Sequence, residues 1–174
     1  DLNPRMDSES MKSIVEAECF QSLESLEIMG GWPATVWAEE MQERPEAFPR
    51  LTRFRQLCSR PVECFEALLQ SGVTARLQTL EIGCTTDGLG LLPLTREALF
   101  ELLQVTHFPQ LTRLDVHSMY AQVYQGPSQE EVREWLLEAL KASGLLPQLE
   151  TLVLGDLGTE EWKQSLASSS MKVL

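Results

Sequence analysis

One six-residue phrase returns five times along this chain and constrains its fold more than any other feature. It reads Leu23-Glu-Ser-Leu26-Glu-Ile28, Leu51-Thr-Arg-Phe54-Arg-Gln56, Leu77-Gln-Thr-Leu80-Glu-Ile82, Leu111-Thr-Arg-Leu114-Asp-Val116 and Leu149-Glu-Thr-Leu152-Val-Leu154. The shared form is L-x-x-L-x-L. In most copies the last two apolar positions alternate with polar ones, the pattern of a short half-buried strand. The first leucines stand at 23, 51, 77, 111 and 149, so successive copies lie 28, 26, 34 and 38 residues apart. A recurrence at this period marks a repeat architecture. One unit cannot bury its own apolar face, and stacked units share a continuous interior.

Amphipathic segments stand before most copies. The clearest are 61–71 (PVECFEALLQS), 95–106 (TREALFELLQVT) and 128–143 (SQEEVREWLLEALKAS). In the second, Ala98, Leu99, Leu102 and Leu103 recur at helical spacing; in the third, Val132, Trp135, Leu136, Ala139 and Leu140 do so. Pro61, Thr95 and Ser128 suit helix starts. Phe48-Pro49, Phe108-Pro109 and Leu146-Pro147 then lead into the strands, where proline stops a helix. The order helix, turn, strand, loop leaves room for the crossovers that parallel strands require. A further helical stretch at 159–166 precedes Met171-Lys-Val-Leu174, which reads as the opening of a sixth phrase. Residues 1–174 are read as one domain, a fragment of a longer repeat array.

These phrases resemble the leucine-rich-repeat family, and the helix in each unit resembles the ribonuclease-inhibitor-like or F-box-associated types. The resemblance implies an α/β solenoid of about five repeats, with short parallel strands on the concave side and helices on the convex side. Two departures stand out. The Asn or Cys of the family pattern is replaced by Gly31, Ser59, Thr85, Met119 and Leu157, and Gln56 stands where an apolar residue belongs.

Composition narrows the partners. The formal net charge is -12, which argues against nucleic acid, whose phosphates need a clustered basic face, and against anionic membranes. A basic partner is allowed but not required. No run of about 18 apolar residues exists to span a bilayer. Cys19, Cys58, Cys64 and Cys84 form no CxxC pair and read as reduced core thiols, consistent with an intracellular, cytoplasmic or nuclear protein.

Strand alternation places Ser25, Arg53, Thr79, Arg113 and Thr151 in one outward column, and Glu27, Arg55, Glu81, Asp115 and Val153 in the next. His117 continues the outward alternation of Arg113 and Asp115. Two readings stay open for these columns: a polar stripe that a partner reads, or a self-neutralising ladder that only solvates the sheet. A second candidate is the loop 117–127, which carries Tyr120 and Tyr124. Trp32 is expected to fold back onto the helices, and Trp37, Trp135 and Trp162 to lie in the core.

The candidate partner-binding residues are therefore Arg53, Arg55, Glu81, Arg113, Asp115, His117, Tyr120 and Tyr124. They belong to a non-catalytic protein-protein interaction module, in a substrate-recruiting adaptor or a scaffold. No cofactor, metal site or catalytic residue is expected: GxxxxGK[ST], GxGxxG and HExxH are all missing, and the adjacent acidic pairs do not share a helix face. The alternative from another class is an enzyme with a thiol-based site near Cys84 and His117, since a nucleophile and its base must lie within hydrogen-bond reach.

Overall fold

A computed structural model describes residues 21–29, 48–58, 66, 68–84, 95–117, 128–155, 158–166 and 171–174. Six strands form a single sheet: β1 (Ser25–Met29), β2 (Arg53–Cys58), β3 (Thr79–Cys84), β4 (Arg113–Asp115), β5 (Thr151–Val153) and β6 (Lys172–Val173). Their order in the sheet is their order in the chain, and every neighbouring pair is parallel. Each of the five phrases supplies one strand, and the 171–174 segment supplies the sixth.

The register follows the phrases. Leu26 stands opposite Phe54, Phe54 opposite Leu80, Leu80 opposite Leu114, Leu114 opposite Leu152, and Leu152 opposite Val173. Leu80, Leu114 and Leu152 are fully buried, and Leu26 and Phe54 nearly so. A slip of one residue in any strand would turn its whole apolar set to water. Each such leucine contributes on the order of 1.5–3 kcal/mol by burial, so the stacked row fixes register strongly.

The leading leucine of each phrase lies just before its strand. Leu51, Leu77 and Leu111 are fully buried there. At this point one carbonyl accepts two amides of the next unit. Glu24 O accepts from the N–H groups of Thr52 and Arg53, Thr52 O from Gln78 and Thr79, Gln78 O from Thr112 and Arg113, and Thr112 O from Glu150 and Thr151. Every one of these units thus joins the sheet in the same way.

Three α-helices are described: α1 (Arg96–Leu102), α2 (Gln129–Ser143) and α3 (Glu160–Leu166). The Thr95 hydroxyl caps α1 by accepting from Ala98 N. Ser128 and Glu131 form a reciprocal capping box on α2. The apolar faces of α1 (Leu99, Leu102) and α2 (Val132, Leu136, Leu140) join the strand leucines in one core. Trp135 and Trp162 pack against it, partly buried; Trp32 and Trp37 lie outside the described residues. Arg96 ties the two helices together, pairing with Glu138 at 2.9 Å while its guanidinium lies 4.5 Å over the Phe100 ring. The helix expected over 95–106 stops at Leu102 and continues as a 3-10 turn over Val105–His107; β-branched Val105 and Thr106 and the nearby Pro109 disfavour α-helix there. Of the segment 61–71, residues 66 and 68–70 are helical.

Two turn chemistries alternate ahead of the strands. Before β2 and β4 a fully buried phenylalanine precedes proline, and its carbonyl accepts the leucine amide three residues on (Phe48 from Leu51, Phe108 from Leu111). Before β3 and β5 a Ser-Gly pair takes over. Ser71 Oγ donates to Leu68 O and accepts from Val73 N; Ser143 Oγ donates to Leu140 O and accepts from Leu145 N. Gly72 and Gly144 sit at φ 67° and 73°, the left-handed conformation glycine adopts at a helix end without a Cβ penalty.

Candidate interaction surface

Burial separates the two faces of the sheet. The positions between the buried residues, Ser25, Arg53, Thr79, Arg113 and Thr151 and then Glu27, Arg55, Glu81 and Val153, are exposed or half-exposed. Among the described residues no helix covers them. The structure therefore brings five of the eight predicted site residues, Arg53, Arg55, Glu81, Arg113 and His117, onto one open face of β2, β3 and β4, whereas Asp115, expected to stand outward with them, is buried by its contacts with Arg113 and His117. Tyr120 and Tyr124 lie outside the described residues, as does the rest of the 117–127 loop beyond His117.

On this face β2 and β3 set Arg55 opposite Glu81, and β1 sets Glu27 on its other side. Arg55 Nη1 lies 2.7 Å from Glu27 Oε1, and Arg55 Nε lies 2.7 Å from Glu81 Oε1. One guanidinium thus holds two carboxylates on flanking strands. Arg55 remains 37% exposed, so each pair contributes little to stability, about 0–1 kcal/mol. The pairing offsets one of the two carboxylate charges and leaves this row acidic.

Asp115 is different in kind. Its side chain is 8% exposed, and it receives three donors: Arg113 Nη2 at 3.4 Å, His117 backbone N at 3.2 Å, and the His117 ring through Nδ1. The His117 side chain is 40% exposed. Gly155, just after β5, makes room for the His117 Cβ and backbone: a Cβ on Gly155 would lie 2.7 Å from His117 Cβ. His117 thus meets the buried carboxylate through its ring and the Gly155 position through its Cβ and backbone.

Cys84 ends β3 at a strand position in phase with the buried Leu80 and Ile82, whereas His117 follows the phase of Arg113 and Asp115. Cys58 and Cys84 are register partners, and Cys19 and Cys64 lie outside the described residues. Among the described residues no group of three or more His, Cys, Asp and Glu side chains could hold a metal ion, and no helix is long and apolar enough to cross a membrane.

Two residues of the surface escape a reading of the five complete phrases. Lys172 extends the Arg53–Arg113 column onto β6; its signal is the sixth phrase, of which the sequence holds only the opening. Gly155 underlies His117; its signal is the glycine that follows the third and fifth phrases, as Gly83 and Gly155.

No protein-family model matches the chain, and no curated protein matches it. Among solved structures, a Bacteroides fragilis protein determined by a structural genomics consortium superposes with a TM-score of 0.43 at 18% identity, over 83% of this chain and 54% of that one. The chain thus spans about half the length of that neighbour. The chain itself shows an α/β fold whose six described strands form one parallel sheet in chain order.

Proposed function

We propose that this chain is part of a leucine-rich-repeat solenoid and works as a non-catalytic protein-protein interaction module, with the open face of the sheet as its contact surface. The single observation that carries the reading is that face. Six in-register strands present charged and hydroxyl side chains to solvent, while their alternate residues are buried under the described helices. A rigid scaffold that exposes a broad polar sheet serves recognition through position. The parent protein, on this reading, is an intracellular adaptor that recruits a substrate, or a scaffold.

The experiment is affinity capture from lysate with the longest form of the protein that is expressed. Reversal of Arg53, Arg55 and Arg113 to Glu is expected to abolish capture while circular dichroism stays unchanged. Capture that survives this reversal and is lost on deletion of 120–125 would move the site to the loop. Capture indifferent to both would overturn the module reading.

A further inference from the structure

The open face carries two rows of opposite character. In the row through Glu27, Arg55, Glu81 and Asp115, Arg55 bridges Glu27 and Glu81, while Asp115 is engaged by Arg113 and His117. The row beside it, followed across the strands, reads Ser25, Arg53, Thr79, Arg113, Thr151, Lys172. Hydroxyl and cation alternate without exception, and no carboxylate interrupts them. Arg113 leans on Asp115 at 3.4 Å. The side chains of the other five have no hydrogen bond or ion pair among the described residues.

The alternation follows the two kinds of unit. Phe-Pro-x-Leu-Thr-Arg opens the units of β2 and β4, and Leu-x-Thr-Leu marks those of β3 and β5. In the first kind the threonine ties one unit to the next, for Thr52 Oγ1 donates to Glu24 O at 3.4 Å and Thr112 Oγ1 to Gln78 O at 3.3 Å. The arginine beside it ties no unit to the next: Arg53 is exposed and pairs with nothing among the described residues, and Arg113 meets Asp115 of its own strand. Two residues further on, the same two units have diverged to Arg55 and Asp115. Unlike that position, the cation recurs.

Neighbouring strands lie about 4.8 Å apart, so cations on every second strand are spaced by about 9.6 Å. A polyproline-II segment brings every third residue to the same side after about 9.3 Å. Distant charge on the acidic whole is screened beyond about 8 Å at physiological ionic strength, and the nearer carboxylates are engaged, Glu27 and Glu81 by Arg55 and Asp115 by Arg113 and His117. We infer that the row Arg53–Arg113–Lys172 binds an extended acidic peptide of polyproline-II form, with carboxylates at every third residue and its backbone served by the intervening hydroxyls of Thr79 and Thr151. This inference rests on the reading of the open face as the contact surface and names the chemistry of what it contacts.

The test titrates the full chain with fluorescent peptides of repeated Glu-Pro-Pro, against peptides of equal charge with glutamate at every second or every fourth residue. Saturable binding of the first is expected, with affinity at least about threefold above the others, the factor one well-placed surface ion pair supplies. Arg53→Ala and Lys172→Ala should each weaken it about threefold, while Lys141→Ala on the exposed side of α2 should leave it unchanged. No saturation at millimolar peptide, equal affinity for all three spacings, or indifference to Arg53→Ala would each overturn the inference. If the peptide fails while the triple arginine reversal still abolishes lysate capture, the acidic-peptide assignment falls and the open-face reading stands. If the peptide binds as expected and the reversal spares capture, the open-face reading falls instead.

Discussion

Arg55 on β2 and Glu81 on β3 meet at 2.7 Å on the open face, at positions that the strand register sets directly opposite each other. The contact is a readout of register, since a one-residue slip of either strand would send one of the two into the core. Arg55→Ala is expected to cost only about 0.5–1 kcal/mol, because both partners remain in contact with water. Arg55→Glu should cost more by making four carboxylates of the row Glu27, position 55, Glu81 and Asp115, and the added Glu81→Arg should restore part of the loss. Urea denaturation of the three variants checks the order.

Gln56 occupies a core position opposite Ile82 in the register. It is 5% exposed, and its Oε1 atom has no hydrogen-bond partner among the described residues. An unsatisfied buried amide oxygen costs about 1–3 kcal/mol, and leucine has nearly the same volume. Gln56→Leu should therefore raise the midpoint of thermal unfolding, by an amount equivalent to about 1 kcal/mol or more. An unchanged or lowered midpoint would show that the amide is satisfied in solution.

Two glycines separate backbone strain from crowding. Gly72 at φ 67° has open space around a would-be Cβ, whereas Gly155 at φ 54° would place one 2.7 Å from His117 Cβ. Gly72→Ala should cost about 1–2 kcal/mol, the left-handed penalty alone. Gly155→Ala should cost more and also displace His117 from Asp115, which a change in the imidazole proton chemical shifts at fixed pH would register. Equal costs and an unmoved His117 would contradict the packing described.

The capping box of α2 has a pH signature. The Ser128 backbone N–H, and then its hydroxyl, hold the Glu131 carboxyl below its ordinary range. A carboxylate with a lowered folded-state pKa stabilises the fold above its ordinary pKa, and that contribution is lost as pH falls through the lowered one. Glu131→Gln should remove this part of the acid sensitivity, so wild type and variant converge in stability as pH drops below the carboxylate range. Denaturant midpoints measured from neutral to acid pH give the comparison.

Much of this was legible because apolar spacing encodes both strand and register. Leu26, Phe54, Leu80, Leu114 and Leu152 share a place in their phrases and therefore share a row in the sheet. The helix starts at Thr95 and Ser128 were legible from capping chemistry. The end of α1 was not, because Val105 and Thr106 continue an apolar pattern in which only backbone geometry separates α from 3-10. The open face was legible as two columns of residue types. Which of them is tied up was not, since Arg55 pairs across strands while Arg53, two residues away, does not. Seeing that requires side-chain directions, as does the burial of Asp115 beneath Arg113 and His117.

The stacked interior is tested most directly by nuclear Overhauser contacts in the full chain. Side-chain contacts are expected between Leu26 and Phe54, Phe54 and Leu80, Leu80 and Leu114, and Leu114 and Leu152, and not between members two strands apart such as Leu26 and Leu80. Short Hα–Hα contacts between facing strands, which only antiparallel pairing produces, or a row broken at any of these steps, would contradict the parallel in-register sheet and with it the surface built upon it.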